Sequence, residues 1–594
     1  MNKAPSLFLK LIADGYQRFI ETQQVRMSSN VEGLPLLAAL GIICGLLAGG
    51  LIVLFRLAVD HGSYLILGDQ NLQGFDQLSG TTRLLLCIFG ALLVGVLLHL
   101  LKPKDRLVGI VHVLERLDYH QGRLPIKNAI VQFAAACISL LSGQSVGREG
   151  PSVHLGATSG SQLGRLLRVP NNSTRILIAC GTAAAIAAAF GTPLAGVIFA
   201  MEVVLMEYSV IGFTPVILAS VSAATLTAVT IGKESIFKFP VSELQSLYEL
   251  PLVAVMGAVI GVIAALFIRL TLLTSSVATK QSIWARCALA GLITGLIAYQ
   301  FPQIMGIGYD TINELLLVEI GLGLALLILV AKLFATSMAI GLGIPAGLIG
   351  PTLFIGAAAG SIMGIVVDSL LEQGANAGIY TMLGMAAMMA ATLQAPLAAL
   401  IYLLELSSSQ SIILPGMAAV ITASLVTRVV FGKSSIYRHI MLARGLDHRN
   451  SPLSNALRRI GIASIMDRNI QQQPRYISAE QADAIIKQEP RWILLAGEDM
   501  KKASLLPATD LARYLNELEQ QPTLQQELQI DLKSIPAKRI DTAKITIIAT
   551  LQEAHERMQA EQCSALFISG AYGGSKNRIY GVVTREHIER SYRA

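Results

Sequence analysis

The sequence predicts an all-α polytopic membrane protein built from two repeated halves, followed by a small soluble α/β module. Three observations carry this. Hydrophobic residues make up 53% of the 594 and charged residues only 14%, too apolar for a soluble chain of this length. Several apolar runs match the roughly 20 residues that a helix needs to cross a hydrocarbon core. Two motif blocks recur, in the same order, in the two halves of the apolar region.

In chain order, residues 1–33 form an N-terminal segment with Lys3, Lys10, Arg18 and Arg26 and no small-residue cleavage site. It reads as cytoplasmic rather than as a signal peptide. The first repeat is expected over 34–240, with apolar runs at Leu34–Leu54, Leu84–Leu101 and Ile211–Ile231. The second is expected over 241–445, with runs at Pro251–Leu273 and from Ile320 through Lys332 and beyond. From 446 to 594 the composition turns charged and ordinary. Short β-like runs (Trp492–Ala496, Ala565–Ser569, Ile579–Thr584) alternate there with polar helical stretches such as Leu551–Gln562. The net charge of +7 fits lysine and arginine in cytoplasmic loops and tails, and nucleic acid is not an expected partner. Cys44, Cys87, Cys137, Cys180, Cys287 and Cys563 form no CxxC pair, so neither disulfide nor metal site is predicted.

The repeat is legible by eye. "GPSVHLGATSGS" from Gly150 answers "GPTLFIGAAAGS" from Gly350, an offset of 200. "GTAAAIAAAFGTPLAGVIFAMEV" from Gly181 answers "GMAAMMAATLQAPLAALIYLLEL" from Gly384, an offset of 203 that also pairs Pro193 with Pro396 and Glu202 with Glu405. Duplicated halves in transporter-like proteins are commonly inverted about an axis in the membrane plane, with the site where broken helices meet. Glycine interrupts a helix, and proline suits the first turn of the next. The alanine stripe Ala183–Ala189 reads as close-packing surface between helices.

The stretch Gly147-Arg148-Glu149-Gly150-Pro151 puts a carboxylate at such a helix start. A helix N-terminus offers unpaired N–H groups and about half a positive charge, so two of them meeting make an anion site without metal. Charged, Glu149 competes with an anion for those donors; protonated, it leaves. That makes it a gate. The alternative, a local Arg148–Glu149 ion pair, is the weaker reading for an intramembrane carboxylate.

These residues, with "AAAFGTPLAGVIFAMEV", resemble the CLC family of chloride channels and chloride/proton exchangers, over about Leu34 to Gly445. The resemblance implies a CLC-type inverted repeat of broken and tilted helices and a homodimer with one pore per subunit, lodged in the inner cell membrane. It implies that Glu149 gates. Backbone N–H groups of Leu348 and Ile349 would hold a central anion, with Gly109 and Ile110 beside it. Those of Arg148, Glu149, Gly150 and Gly350 would hold an outer one. Tyr437, in "GKSSIYRHIMLARG", matches the family's anion-coordinating tyrosine. The tail resembles a pair of CBS domains. An adenine nucleotide there is an alternative to a purely dimerising or regulatory module; no other cofactor is expected.

Three departures stand out. Val108 replaces the family's serine, which removes a side-chain donor, and Ile349 replaces a phenylalanine. Val203 replaces the second, cytoplasm-facing glutamate of the exchangers. Glu207, four residues on and so on the same face of one helix, is a candidate substitute proton relay, with a solvated interfacial carboxylate as the stronger reading. Glu202 and Glu405 read as capping or pairing groups at helix ends, and His154 as a packing residue. In the tail, Asp510 lacks the expected threonine, and Thr584 has His587 where an aspartate belongs. The expected function is a chloride or small-anion channel, gated by Glu149 protonation or voltage. A chloride/proton antiporter is the alternative on the same scaffold. A membrane sensor reading a cytosolic ligand is the rival of another class, and a fluoride exporter has no pattern in its favour.

Overall fold

The computed structural model describes residues 33–68, 74–232, 237, 247–278, 281–370, 376–446, 452–496, 502–520, 529–570 and 578–593. Lys3, Lys10, Arg18 and Arg26, and the boundary expected between residues 240 and 241, lie outside them. The chain divides into two compact units. One holds Leu37–Arg165 and Arg175–His448; the other holds Met1–Leu36, Leu166–Thr174 and Arg449–Ala594. The tail's unit thus claims residues 166–174, which the sequence reading placed inside the first repeat.

The first half runs α1 (Leu34–Leu67), α2 (Gly80–His99), α3 (Gly109–Tyr119), α4 (Ile126–Leu141), α5 (Glu149–Leu166), α6 (Asn171–Phe190), α7 (Pro193–Phe199) and α8 (Val210–Thr230). The second runs α9 (Leu250–Ala278), α10 (Ile283–Gln300), α11 (Tyr309–Leu316), α12 (Leu322–Leu342), α13 (Ile349–Leu370), α14 (Ala377–Leu393), α15 (Pro396–Ser407), α16 (Ile413–Leu425) and α17 (Ile436–Ala443). Nine helices among the described residues are long and apolar enough to cross a membrane. α1 runs past the expected Leu54 to Leu67, and its 34 residues exceed a hydrocarbon core of about 30 Å. α7 and α15, with 7 and 12 residues, fall short of a span, as broken helices do.

The two halves pack alike. A Cβ on Gly156 of α5 would strike the carbonyl oxygen of Gly181 on α6, and one on Gly181 would strike that of Gly156. Gly356 of α13 and Gly384 of α14 stand in the same reciprocal relation. Only residues without a side chain let two backbones approach so closely, which is how helices associate where no water drives them together. The stripe Ala183–Ala189 is buried throughout.

In the other unit α18 (Pro452–Arg459) leads into β1 (Ile470–Gln473), β2 (Tyr476–Ile477), α19 (Ala479–Ile486), β3 (Trp492–Ala496), β4 (Lys502–Pro507) and α20 (Ala508–Gln520). Then follow β5 (Ile530–Asp531), β6 (Ile540–Thr546), α21 (Leu551–Ala560), β7 (Ala565–Ser569), β8 (Ile579–Thr584) and α22 (Arg585–Arg593). The three strands read from the sequence stand where expected; the helix read to Gln562 stops at Ala560. One six-stranded sheet has the order β1-β3-β4-β6-β7-β8. In each half of it a parallel pair (β1 with β3, β6 with β7) is followed by an antiparallel neighbour. The pattern is β-α-β-β-α twice. Both first helices open with a capping box, Ser478 with Gln481 and Thr550 with Glu553. Asn171 belongs to this unit: its N–H donates to Ile548 O, and its amide to both Glu553 carboxylate oxygens, at 2.9 and 3.0 Å.

Candidate functional site

The two Gly-Pro turns meet. Gly147 N–H donates to Gly347 O and Gly347 N–H to Gly147 O, each at 2.7 Å. A Cβ on Gly347 would lie 2.6 Å from Gly150 N, so this contact requires glycine. The pairing sets the N-termini of α5 and α13 side by side.

Glu149, first residue of α5, is completely buried. Its Oε2 accepts from Gly350 N–H at 3.0 Å, and its Oε1 from the Tyr309 hydroxyl at 2.7 Å. A carboxylate of the first half therefore rests on the helix start of the second, the place where an anion is favoured. Arg148 forms no ion pair with it among the described residues. The guanidinium instead donates to Ala189 O at 3.1 Å and lies over the Tyr309 ring, 5.3 Å from its centroid. Phe237 meets the same ring edge-on at 5.1 Å. Lys332 is also completely buried, its ammonium donating to Ile304 O and Gly306 O, both at 2.9 Å.

The other predicted anion ligands sit at neighbouring helix starts. Gly109 opens α3 with a φ of +80°, and Ile110, the next residue, is buried. Val108 occupies the N-cap position and makes no side-chain cap, as its chemistry dictates. Leu348 and Ile349 are buried at the head of α13. Tyr437 lies near the start of α17, which packs on α3. Its buried hydroxyl has no hydrogen-bond partner among the described residues. Gln132 of α4 donates to Pro345 O at 2.9 Å and so ties the first half to the loop that carries Leu348.

Glu202 and Glu405 exchange roles. Glu405 accepts from Leu194 and Ala195 N–H at 2.8 and 2.7 Å, at the start of α7. Glu202 accepts from Leu397 and Ala398 N–H at 3.2 and 2.7 Å, at the start of α15. Each half caps a helix of the other.

Glu207 requires a correction. After α7 the chain continues as a π-helix over Ala200–Leu205, then turns at Met206 with a φ of +54°. Glu207 is outside the helix, so the one-face argument linking it to Val203 fails; the wide turn ends the helical repeat first. Val203 itself is buried. His154 has more than packing contacts: its Nε2 lies 2.9 Å from His112 Nδ1. Arg116 lies 3.0 Å from His112 Nε2 and can only donate, so His112 passes its own proton bond to His154.

In the tail, Asp510 accepts from Lys538 N–H at 3.3 Å. Thr584 and His587 satisfy one another, each backbone N–H donating to the other's side chain at 3.4 Å.

Tyr309, Gln132 and His112 escaped the sequence reading. Lys332 carried a signal, a charge inside an apolar run; Tyr309 carried none, because its partner is 160 residues away.

A family model described as voltage gated chloride channel matches residues 90–428, more than half of the chain. A putative chloride channel protein ClcB-like of Ralstonia nicotianae is 34% identical over 373 residues, covering 61% of this chain and 86% of the relative. An H(+)/Cl(-) exchange transporter ClcA of Vibrio cholerae is 30% identical over 374 residues, covering 60% and 78%. Among solved structures, a slow cyanobacterial Cl-/H+ antiporter has a TM-score of 0.62 at 23% identity, covering 70% of this chain and 99% of its own. A eukaryotic CLC transporter has a TM-score of 0.58 at 20% identity, covering 93% and 97%. Model, relatives and shared fold agree with the joined helix starts around Glu149: the chain belongs to the CLC, or voltage gated chloride channel, family.

Proposed function

We propose that this chain passes chloride or a similar small anion across a membrane, as a channel gated by Glu149. One observation carries the reading: the Glu149 carboxylate occupies a helix-start donor, Gly350 N–H, that an anion would take in its place. Protonation, or voltage acting on the charge, releases it. Passive flow is favoured because Val203 cannot carry a proton and both oxygens of Glu202 are committed to capping α15. A second reading, chloride/proton antiport, is supported by the name of the Vibrio cholerae relative.

A chloride gradient imposed on liposomes without a pH gradient separates them. The channel leaves protons at equilibrium. Uphill proton movement would establish the antiporter, and its loss in Glu207→Gln would place the relay at Glu207. By the same resemblance the protein works as a homodimer in the inner membrane, with both termini cytoplasmic. The twofold β-α-β-β-α pattern supports a CBS-type regulatory tail. The closed Thr584–His587 pair speaks for regulation without a nucleotide.

A further inference from the structure

We infer that Tyr309 is the latch of the gate: its hydroxyl holds Glu149 over the start of α13 and sets how readily the carboxylate leaves. The inference rests on the reading of Glu149 as gate and adds the residue that restrains it.

The two carboxylate oxygens are held by different kinds of donor. Oε2 has a backbone N–H, that of Gly350, at 3.0 Å. A replacing anion would use the same N–H, so this bond does little to favour carboxylate over anion. Only differential contacts shift such an equilibrium. Oε1 has the Tyr309 phenol at 2.7 Å, a short bond of the charge-assisted kind.

The phenol is also aimed. Tyr309 is the first residue of α11, and Gly308 before it turns the chain with a φ of +82°. Arg148 covers its ring at 5.3 Å and Phe237 closes one side at 5.1 Å. A ring so confined has little rotational freedom left to lose when the bond forms. The adjacent cation, Arg148, makes no hydrogen bond or ion pair with the carboxylate among the described residues; its Nη2 donates to Ala189 O. Glu149 is completely buried, and a buried carboxylate needs its lone pairs met. Among the described residues, the phenol is the side-chain donor that meets them.

Four proteins in liposomes test this at neutral pH by chloride efflux: the parent, Tyr309→Phe, Glu149→Ala and the double variant. Phenylalanine keeps the ring and removes only the donor. A hydrogen bond to a charged group is worth enough that Tyr309→Phe should speed efflux about tenfold over the parent. In the Glu149→Ala background the same change should do nothing, because no carboxylate remains to be held. Unchanged efflux in Tyr309→Phe, with Glu149→Ala fast, would overturn the latch and leave the gate standing. Glu149→Ala no faster than the parent would overturn the gate itself. Equal effects of Tyr309→Phe in both backgrounds would mean that the phenol serves the anion or the packing, and would also overturn the latch. Tyr309→Met, bulky and without a donor, repeats the comparison should the phenylalanine variant not assemble.

Discussion

The turns at Gly147–Pro151 and Gly347–Pro351 have one backbone and two chemistries. Their glycines exchange reciprocal hydrogen bonds, and each turn starts a helix at the shared contact. Between the glycines the first turn carries Arg148 and Glu149, the second Leu348 and Ile349. What both halves keep is the set of backbone donors at a helix start, a place where negative charge is favoured. What only the first half has is a group that can occupy those donors and then release them. The duplicated glutamates are the contrast: Glu202 and Glu405 survive in both halves because each caps the other half's helix. Symmetry preserves what holds the halves together, and its breach falls at the residue proposed as the gate.

The largest break in that comparison is Glu149→Gln. Removing the charge weakens two bonds worth at least about 1.5 kcal/mol each, so efflux at neutral pH should rise on the order of a hundredfold. It should also become insensitive to external pH, which efflux measured across a pH series would check. A variant that kept the parent's pH response would show that the first turn is no more a gate than the second.

Next comes the anion itself. Tyr437→Ala removes a buried hydroxyl with no protein partner among the described residues, and chloride affinity by calorimetry should fall about tenfold or more. Val108→Ser restores a donor at the α3 cap and should raise affinity, by less. Equal affinity in the Tyr437 variant and parent would remove Tyr437 from the site.

Smaller, and aimed at the symmetry, are Glu202→Ala and Glu405→Ala. Each strands two N–H groups at a helix start and should lower stability by about 1–2 kcal/mol. Thermal unfolding in detergent should give the same loss for both; a marked inequality would show that one glutamate does more than cap.

The smallest effect is expected in the tail, whose halves differ in the same way. Gln481 only closes its capping box, whereas Glu553 also takes the Asn171 amide. Burial raises the Glu553 carboxyl above its ordinary value, against the opposing pull of its hydrogen bonds to Asn171 and Thr550. A raised acid favours the folded form while protonated. Its contribution is full below the usual glutamate range and is lost as pH rises through the raised value. Glu553→Gln should remove that slope, with amide exchange in α21 a few-fold slower than the parent at neutral pH and equal in acid.

Much of this was legible beforehand for a definite reason. Spans, the repeat and the helix starts at Glu149 and Ile349 are local: apolar length, glycine and proline encode them within a few residues. Even the reciprocal capping by Glu202 and Glu405 left a trace, because it was duplicated. The one-face argument for Glu207 failed because spacing assumes a regular helix, and the chain instead widened to a π-helix and turned at Met206. The latch left no trace at all. Tyr309 stands in an unremarkable "GYDTINELL", and nothing local says that its ring lies under Arg148.

By itself, then, the sequence determined a membrane chain of two related halves, a carboxylate at a helix start and a β-rich tail. These follow from composition and short-range pattern, which the backbone obeys wherever it is placed. Tertiary structure decided which donors meet that carboxylate, that Arg148 turns to Ala189 rather than to Glu149, and that each half caps the other. Those contacts join residues 41 to 211 positions apart. Such pairs come within hydrogen-bonding distance only after helices have packed through their glycines, and packing is a property of the whole fold.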